Sequence, residues 1–194
     1  PVLTAPVVAV DMTTGYVGDT FTFTVEGYGA GYNNSNISVN LNIDEMDYPM
    51  VWNETNMEWV YAYMAMESGM YMANISVYDM NNMTNLVYDD SLMLYVWEPV
   101  MYNDAYVAPV FAEDPMEPVM WDLMGMFMPD MDLDGMNLTL THDFPMEWTV
   151  DALDDYTWNV TPPMDFFGEI MVNVTATDGM GGTDYHVFTF DVTG

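Results

Sequence analysis

The chain has 194 residues, of which 31 are aspartate or glutamate and none is lysine or arginine. A formal net charge of −31 excludes nucleic-acid binding, because phosphate recognition depends on basic side chains. The absence of cysteine excludes disulfides and thiolate chemistry, and the apolar runs are too short for a membrane-spanning helix. Six Trp, 14 Tyr and nine Phe are too many for a disordered acidic tail, so we expect the acids to decorate a folded core.

The first ten residues are apolar and contain two prolines, which suits pairing along a sheet edge. Two interpretations are open: this segment forms the first strand of its own domain, or it completes the sheet of a neighbouring subunit by strand addition. The sequence begins with neither a methionine nor a signal sequence, which favours a mature or excised chain.

The first half consists of short segments of alternating polarity between Gly, Asn, Asp and Pro, a pattern typical of β-strands. Glu67-Ser68-Gly69 predicts a hairpin turn between two of these strands. The strands of this half are expected near residues 7–11, 20–26, 37–43, 57–66, 70–79, 85–88 and 91–97.

The second half repeats the pattern after a segment with a proline break, which we interpret as a linker over residues 99–108. Two halves of about seven strands each, without helical periodicity, predict an all-β protein with two tandem β-sandwich domains, residues 1–98 and 109–194. The strands of the second half are expected near residues 118–122, 136–141, 146–150, 156–161, 168–177 and 183–192.

The 23 methionines show an unusual placement within the strands. Period-2 alternation puts Met70 and Met72 on the polar face of their strand, opposite Tyr71, Ala73, Ile75 and Val77. The same phase recurs for Met93 and Met171. We therefore expect most methionines to be exposed or to lie at contacts between subunits, away from the core.

Three interpretations of the methionines are open. Methionine stands where a related chain carries Lys or Arg, in which case 23 basic residues would change the charge from −31 to −8. Alternatively, flexible thioethers form a surface that neighbouring subunits bury. The third interpretation is Cu(I) binding by paired thioethers. The chain has no Cys and only two His to complete such a site. The candidate pairs are Met64-x-Met66, Met70-x-Met72 and Met124-x-Met126-x-Met128.

The acceptor sequence Asn-x-Ser/Thr occurs far more often than chance would give, which predicts a surface built for N-linked glycans and an extracellular location. Asn74 and Asn173 are favoured, because both belong to the outward face of a regular strand. The eight candidate acceptors are Asn33, Asn36, Asn53, Asn74, Asn82, Asn137, Asn159 and Asn173.

Two stretches resemble known families of surface modules. The pattern Gly69-x-Tyr71-x-Ala73-x-Ile75-x-Val77-x-Asp79 resembles the penultimate strand of immunoglobulin-like and PKD-like domains, in which the tyrosine packs at a corner of the sandwich. Most of residues 104–192 resembles the cadherin-like tandem repeats of prokaryotic surface proteins. The resemblance is carried by Trp158-Asn159-Val160-Thr161-Pro162, Asp165-Phe166-Phe167-Gly168, Val174-Thr175-Ala176-Thr177-Asp178-Gly179 and Phe188-Thr189-Phe190-x-Val192.

One acidic loop has the composition of a calcium site. Asp130, Asp132 and Asp134 alternate before a glycine that permits a sharp turn, which either binds Ca²⁺ or forms a solvated acidic turn. The twelfth position is Thr141 where an EF-hand needs Glu, so the loop is not an EF-hand. The cadherin-like resemblance implies that such a loop often binds Ca²⁺. It also implies that Asp104 in the linker and Asp178 in the last hairpin are weaker Ca²⁺ ligands.

The sequence gives little support to catalysis. His142 and His186 are far apart in the chain, and no serine lies in a Gly-x-Ser-x-Gly elbow. Chance pairs are guaranteed among 31 carboxylates, so no glycosidase-like dyad is selected. We therefore expect a protein that is not an enzyme.

Together with the resemblance, these patterns favour an archaeal-type surface glycoprotein. Its expected function is that of a structural subunit that associates with itself into an extracellular filament or surface layer. The leading alternative is an adhesin segment, rigidified by calcium, that binds a carbohydrate or another cell. A third class, the accessory module of an extracellular enzyme, stays open because a sandwich fold does not imply a function.

Overall fold

The computed structural model describes residues 3–27, 34–81, 84–113, 115–129 and 135–193. The chain divides into two compact units, Pro1–Trp97 and Glu98–Gly194. Every regular element in the described ranges is a β-strand, except for one 3-10 turn at Asn34–Asn36. The all-β prediction with two tandem sandwiches is therefore confirmed. No helix in this part of the chain is long and apolar enough to cross a membrane.

The first unit consists of two sheets packed face to face. One sheet has the strand order β1-β3-β7-β6, and the other has the order β2-β9-β8-β4-β5. All neighbours are antiparallel except β2 and β9, which run parallel. The strands are β1 (Val7–Val10), β2 (Thr14–Tyr16), β3 (Thr20–Glu26), β4 (Ile37–Ile43), β5 (Met46–Pro49), β6 (Val51–Asn53), β7 (Glu58–Met64), β8 (Gly69–Asp79) and β9 (Thr84–Trp97).

The N-terminal segment forms a strand of its own domain. Val7–Val10 pairs antiparallel with residues 23–26 of β3, which corresponds to the first of the two interpretations of this segment. Strict alternation along β3 buries Phe21, Phe23 and Val25 between the sheets. Apolar side chains of β4 and β8 cover them from the other sheet, and removal of this area from water stabilises the unit.

The second unit has the strands β10 (Met101–Tyr102), β11 (Val119–Asp122), β12 (Phe127–Met128), β13 (Thr139–His142), β14 (Thr149–Asp154), β15 (Thr157–Thr161), β16 (Gly168–Thr177) and β17 (Thr183–Val192). The strand orders of its sheets are β11-β15-β14, β13-β16-β17 and the short pair β10-β12. Its core is centred on Trp121, whose ring makes edge contacts with Phe144, Trp158, Phe188 and Phe190.

Residues 99–108, predicted as a linker, belong to this second unit. Met101 and Tyr102 pair with Met128 and Phe127, and the Tyr102 ring stacks on His186. Pro99, the proline break that suggested a linker, lies between the last strand of the first unit and β10. The change from one unit to the next falls earlier, between Trp97 and Glu98.

The two units repeat one strand pattern at an offset of 99 residues. The repeated residues of β8 and of β16 with the residue that follows it are Gly69 and Gly168, Met72 and Met171, Asn74 and Asn173, and Asp79 and Asp178. In both strands the methionine and asparagine point outward, whereas the terminal aspartate is buried. Equivalent strands therefore place equivalent side chains on the outer face of each unit.

Candidate functional site

The outer face of the β11-β15-β14 sheet is acidic. Strand register places Met120, Asn159 and Asp151 in one row and Asp122, Thr157 and Asp154 in the next. The three aspartates of these rows are exposed. With no basic residue in the chain, nothing of opposite charge lies beside them.

Two adjoining hollows of about 550 and 510 Å³ lie at the rim of this acidic face. They share Asn137, Asp154 and Asp155 in their walls. Met136 and Leu140 contribute to the first hollow, and the thioether side chains of Met120 and Met124 line the second. The arrangement presents carboxylates and thioethers to solvent side by side.

Local hydrogen bonds hold the carboxylates around these hollows. Asp122 accepts from the backbone N–H of Met124 at 2.9 Å, and Asp154 accepts from the N–H of Tyr156 at 2.9 Å. The side-chain amide of Asn137 donates to Asp155. Within the described ranges, no group of three acidic or histidine side chains is arranged to hold a metal ion.

The predicted calcium loop, Asp130, Asp132 and Asp134, lies outside the described residues. Asp178 lies at the end of β16 with 8% of its surface exposed, and its Oδ1 accepts from the N–H groups of Met180 at 2.9 Å and Gly182 at 2.8 Å. Its carboxylate therefore closes its own hairpin. Asp104 is exposed in a turn, and the structure does not bring it together with Asp178 in a metal cluster.

The outer face of the β13-β16-β17 sheet carries no charge over most of its length. Successive rows across the three strands begin with Thr139, Thr177 and Thr183 and continue with Thr141, Thr175 and Tyr185. The next rows of β16 and β17 are Asn173 with Val187 and Met171 with Thr189. Acids border these rows: Glu169 and Asp191 pair at one end of the sheet, and Asp143 follows β13 beside Asn173. We call the residues of these four uncharged rows the neutral face.

The methionines lie where the alternation predicts. Seventeen of the 21 methionines whose side chains are described, all 23 but Met83 and Met131, are exposed. Met70, Met72 and Met171 are among them, and Met93 is half-buried on the same outer face. Met126 is fully buried in the core of its unit, so its thioether cannot join those of Met124 and Met128 in a copper site.

The sequon asparagines differ in exposure. Asn137 is exposed, whereas Asn36, Asn53, Asn74, Asn159 and Asn173 are half-buried, and Asn33 and Asn82 lie outside the described residues. Asn74 and Asn173 face outward as predicted, but their amide oxygens are shielded from solvent and have no hydrogen-bond partner. These two asparagines were favoured on outward strand phase alone, whereas their neighbours in the structure enclose part of each side chain.

The two histidines are built into aromatic contacts. The His142 ring lies 4.9 Å from Trp158 and accepts at Nδ1 from the backbone N–H of Phe144 at 3.3 Å. Burial lowers the pKa of His142, against the opposing effect of Asp143. The His186 ring stacks on Tyr102 with 3.6 Å between centroids. Neither arrangement places a base beside a nucleophile.

The neutral face was missed by the sequence analysis, although a signal for it exists. Threonine, tyrosine and valine alternate with core residues along β17, and threonines occupy the same phase in β13 and in the second half of β16. The register that places these strands beside one another joins residues more than 30 positions apart, so the face emerges only from the folded chain.

Residues 98–191 match a family described as a bacterial Ig domain. No curated protein matches the chain. Similar solved structures include a C-terminal fragment of intimin in complex with the intimin-binding domain of its translocated receptor, at 12% identity and a TM-score of 0.57. The alignment covers 95% of this chain and 64% of that fragment.

Two further solved structures are similar to the chain. The N-terminal eight Ig domains of Down syndrome cell adhesion molecule match at 13% identity and a TM-score of 0.63, over 99% of this chain and 25% of that one. An I-band fragment of titin matches at 12% identity and a TM-score of 0.54, over 97% and 66%. Such low identities show the fold alone: two tandem immunoglobulin-like β-sandwich domains.

Proposed function

We propose that the protein is a structural subunit of an extracellular filament or surface layer, which works through its geometry and carries out no catalysis. The observation that carries this proposal is the contrast between the two outer faces of the second domain. One face is acidic, and the other exposes threonine, tyrosine, valine and methionine without a charge. Surfaces of the second kind are suited to contact another macromolecule, since interface centres are depleted of charge.

An extracellular location is supported by the match to a bacterial Ig domain and by the density of glycan acceptor sequences. We propose N-linked glycans on several of the acceptors, with Asn137 first among those described, because it is the exposed one. Hydrophilic glycans beside the acidic face would keep that side of the molecule in solvent.

We also propose that the protein binds cations, because 31 carboxylates repel one another in a chain without basic residues. We propose that Asp130, Asp132 and Asp134 bind Ca²⁺, since alternate carboxylates before a glycine suit the many oxygen ligands of this ion. Gly135 follows with a positive φ of 74°, so the chain turns there into the wall of the first hollow.

The second candidate function is adhesion. The intimin fragment was solved in complex with a domain of its receptor, and another similar structure belongs to a cell adhesion molecule. By this alternative, calcium rigidifies the tandem domains and an exposed face binds a carbohydrate or another cell. Association of the purified chain with itself, without any ligand, favours the structural subunit, whereas calcium-dependent attachment to cells favours the adhesin.

The location is tested by brief protease treatment of intact cells from the native source, followed by mass spectrometry of the released peptides. We expect peptides from both domains, and a glycopeptide that contains Asn137. Peptides of an abundant cytoplasmic protein serve as the control for lysis. Recovery of the chain only from the cytoplasmic fraction, without any glycan, would contradict the proposal.

A further inference from the structure

We propose that the neutral face of the second domain is the surface through which one copy of this chain contacts another. This inference rests on the proposed function, because it assigns self-association to one particular face. Its members project from a continuous three-stranded sheet, and Met171, Tyr185 and Val187 expose 67%, 62% and 46% of their surface. Within its four rows β13, β16 and β17 contribute no acid, and the exposed Asp143, which follows β13 beside Asn173, borders the third row.

The charge distribution selects a second copy as the occupant of this face. A basic partner would be attracted to the acidic face around Asp122, Asp151 and Asp154, and an uncharged surface would offer it no advantage. A partner with its own large negative charge would instead be repelled by the acidic face, since juxtaposed like charges cost several kcal/mol. Such a partner approaches closely only where acids are sparse on both molecules, and another copy of the chain meets this condition when two neutral faces meet.

Side-chain chemistry agrees with contact between two like faces. Threonine hydroxyls both donate and accept hydrogen bonds, so two threonine rows are complementary to each other without any charge. Tyr185 and Met171 belong to the residue types enriched at interface centres. The nearest flanking acid, Asp143, accepts from the backbone N–H of Asn173 at 2.6 Å, which keeps its carboxylate at the edge of the sheet.

The size of the neutral face predicts a weak individual contact. The four rows span residues 171–177 of β16, about 23 Å, and three strands are about 14 Å wide, so the face offers about 320 Å². Stable interfaces bury about 800 Å² on each partner. Assembly through this face therefore requires several contacts per chain or a high local concentration, as in a filament or layer.

Asn173 lies near the centre of the neutral face, between Met171 and Thr175 and opposite Val187. A glycan on this asparagine would hold a second copy away from the sheet. Assembly through the neutral face therefore requires Asn173 to be unmodified, and modification of this one acceptor would prevent assembly while leaving the fold intact.

The test compares two variants that each add one carboxylate to the second domain. Val187→Asp places it in the neutral face, and the control Met120→Asp places it at an outward position of β11 that is 65% exposed, in the opposite sheet. Tyr185→Glu is a second variant in the neutral face, should Val187→Asp not fold. Self-association of the full chains is measured by sedimentation velocity at high salt, and folding is checked by circular dichroism.

We expect the neutral-face variant to associate about tenfold more weakly than the wild type or worse, and the control to associate like the wild type. Equal association of all three proteins would overturn the inference and leave the proposed function standing. Equal weakening of both variants would also overturn it, since the effect would then reflect net charge alone. A wild-type chain that stays monomeric in every condition would contradict the proposed function itself.

Discussion

Tyr71 donates its phenolic hydrogen to the backbone carbonyl of Glu67, four residues earlier in the chain, at 2.7 Å. The bond ties the start of β8 to the turn that precedes it, the arrangement that gives many immunoglobulin-like domains their tyrosine corner. Removal of the hydroxyl by Tyr71→Phe should lower the free energy of unfolding by about 1 kcal/mol, the usual net value of one hydrogen bond. Urea denaturation measures the change. The control Tyr185→Phe alters an exposed phenol and should leave stability unchanged; an equal loss in both variants would contradict the role of the corner.

The carboxylate of Asp178 is the acceptor that closes the hairpin between β16 and β17. Asp178→Ala leaves two backbone N–H groups without this acceptor and should cost about 1–3 kcal/mol of stability. The exposed Asp104 provides the control, because Asp104→Ala removes an equal charge from a turn. Denaturation with and without Ca²⁺ decides the cause: a loss from Asp178→Ala that appears only with calcium present would indicate that the residue acts through a metal ion.

The two-residue loop between β4 and β5 places two acids in a backbone conformation that favours glycine. Asp44 and Glu45 have φ values of 46° and 65°. Because a two-residue hairpin turn with positive φ at both positions prefers Asp-Gly, we expect Glu45→Gly to stabilise the first domain by about 0.5–1 kcal/mol. Thermal unfolding measures the shift, and Glu54→Gly in another turn, where φ is not positive, is the control that should give no gain. A loss of stability with Glu45→Gly would disprove the assigned turn.

The Tyr106 hydroxyl connects two backbone segments of the second domain. It donates to the carbonyl oxygen of Asp122 and accepts from Trp121 Nε1 at 2.7 Å. Burial raises the pKa of Tyr106 to about 12, with the charge of Asp122 adding to the effect. Because the folded pKa lies above the ordinary value of about 10, this contribution to stability is complete below pH ~10 and is lost as pH rises towards 12.

Thermal unfolding between neutral and alkaline pH measures this loss in the wild type and in Tyr106→Phe. We expect the variant to be less stable at neutral pH and to lose less stability above pH ~10. Absorbance of the phenolate gives an independent titration of the same group. Parallel pH profiles for the two proteins would show that Tyr106 does not titrate as its surroundings require.

The regular strands and the direction of their side chains were predictable from the sequence, since alternation in β8 and β16 depends only on which residues are apolar. The short strands were not. β5 and β6 are separated by the buried Met50, and β10 and β12 have two residues each, so their patterns are too brief to detect. These strands form because a neighbouring strand offers hydrogen-bond partners. The residues of that neighbour lie elsewhere in the chain, so no local pattern reveals the pairing.

The candidate surfaces were predictable only in part. The outward phase of Met72, Asn74, Met171 and Asn173 followed from local alternation, and the structure confirms it. The separation of acidic and neutral faces depends on which strands share a sheet. β13 lies beside β16 although more than 20 residues separate them in sequence, and no local pattern contains that pairing.

Self-association of this polyanionic chain underlies both its proposed function and the role of the neutral face. Sedimentation velocity over a wide range of protein concentrations, at about 0.1 M and about 1 M NaCl, tests it most directly, because screening shortens the reach of the repulsion from about 10 Å to about 3 Å. We expect monomers at low salt and concentration-dependent assemblies at high salt, without any ligand. A chain that stays monomeric at high salt and at the highest concentration reached would contradict it.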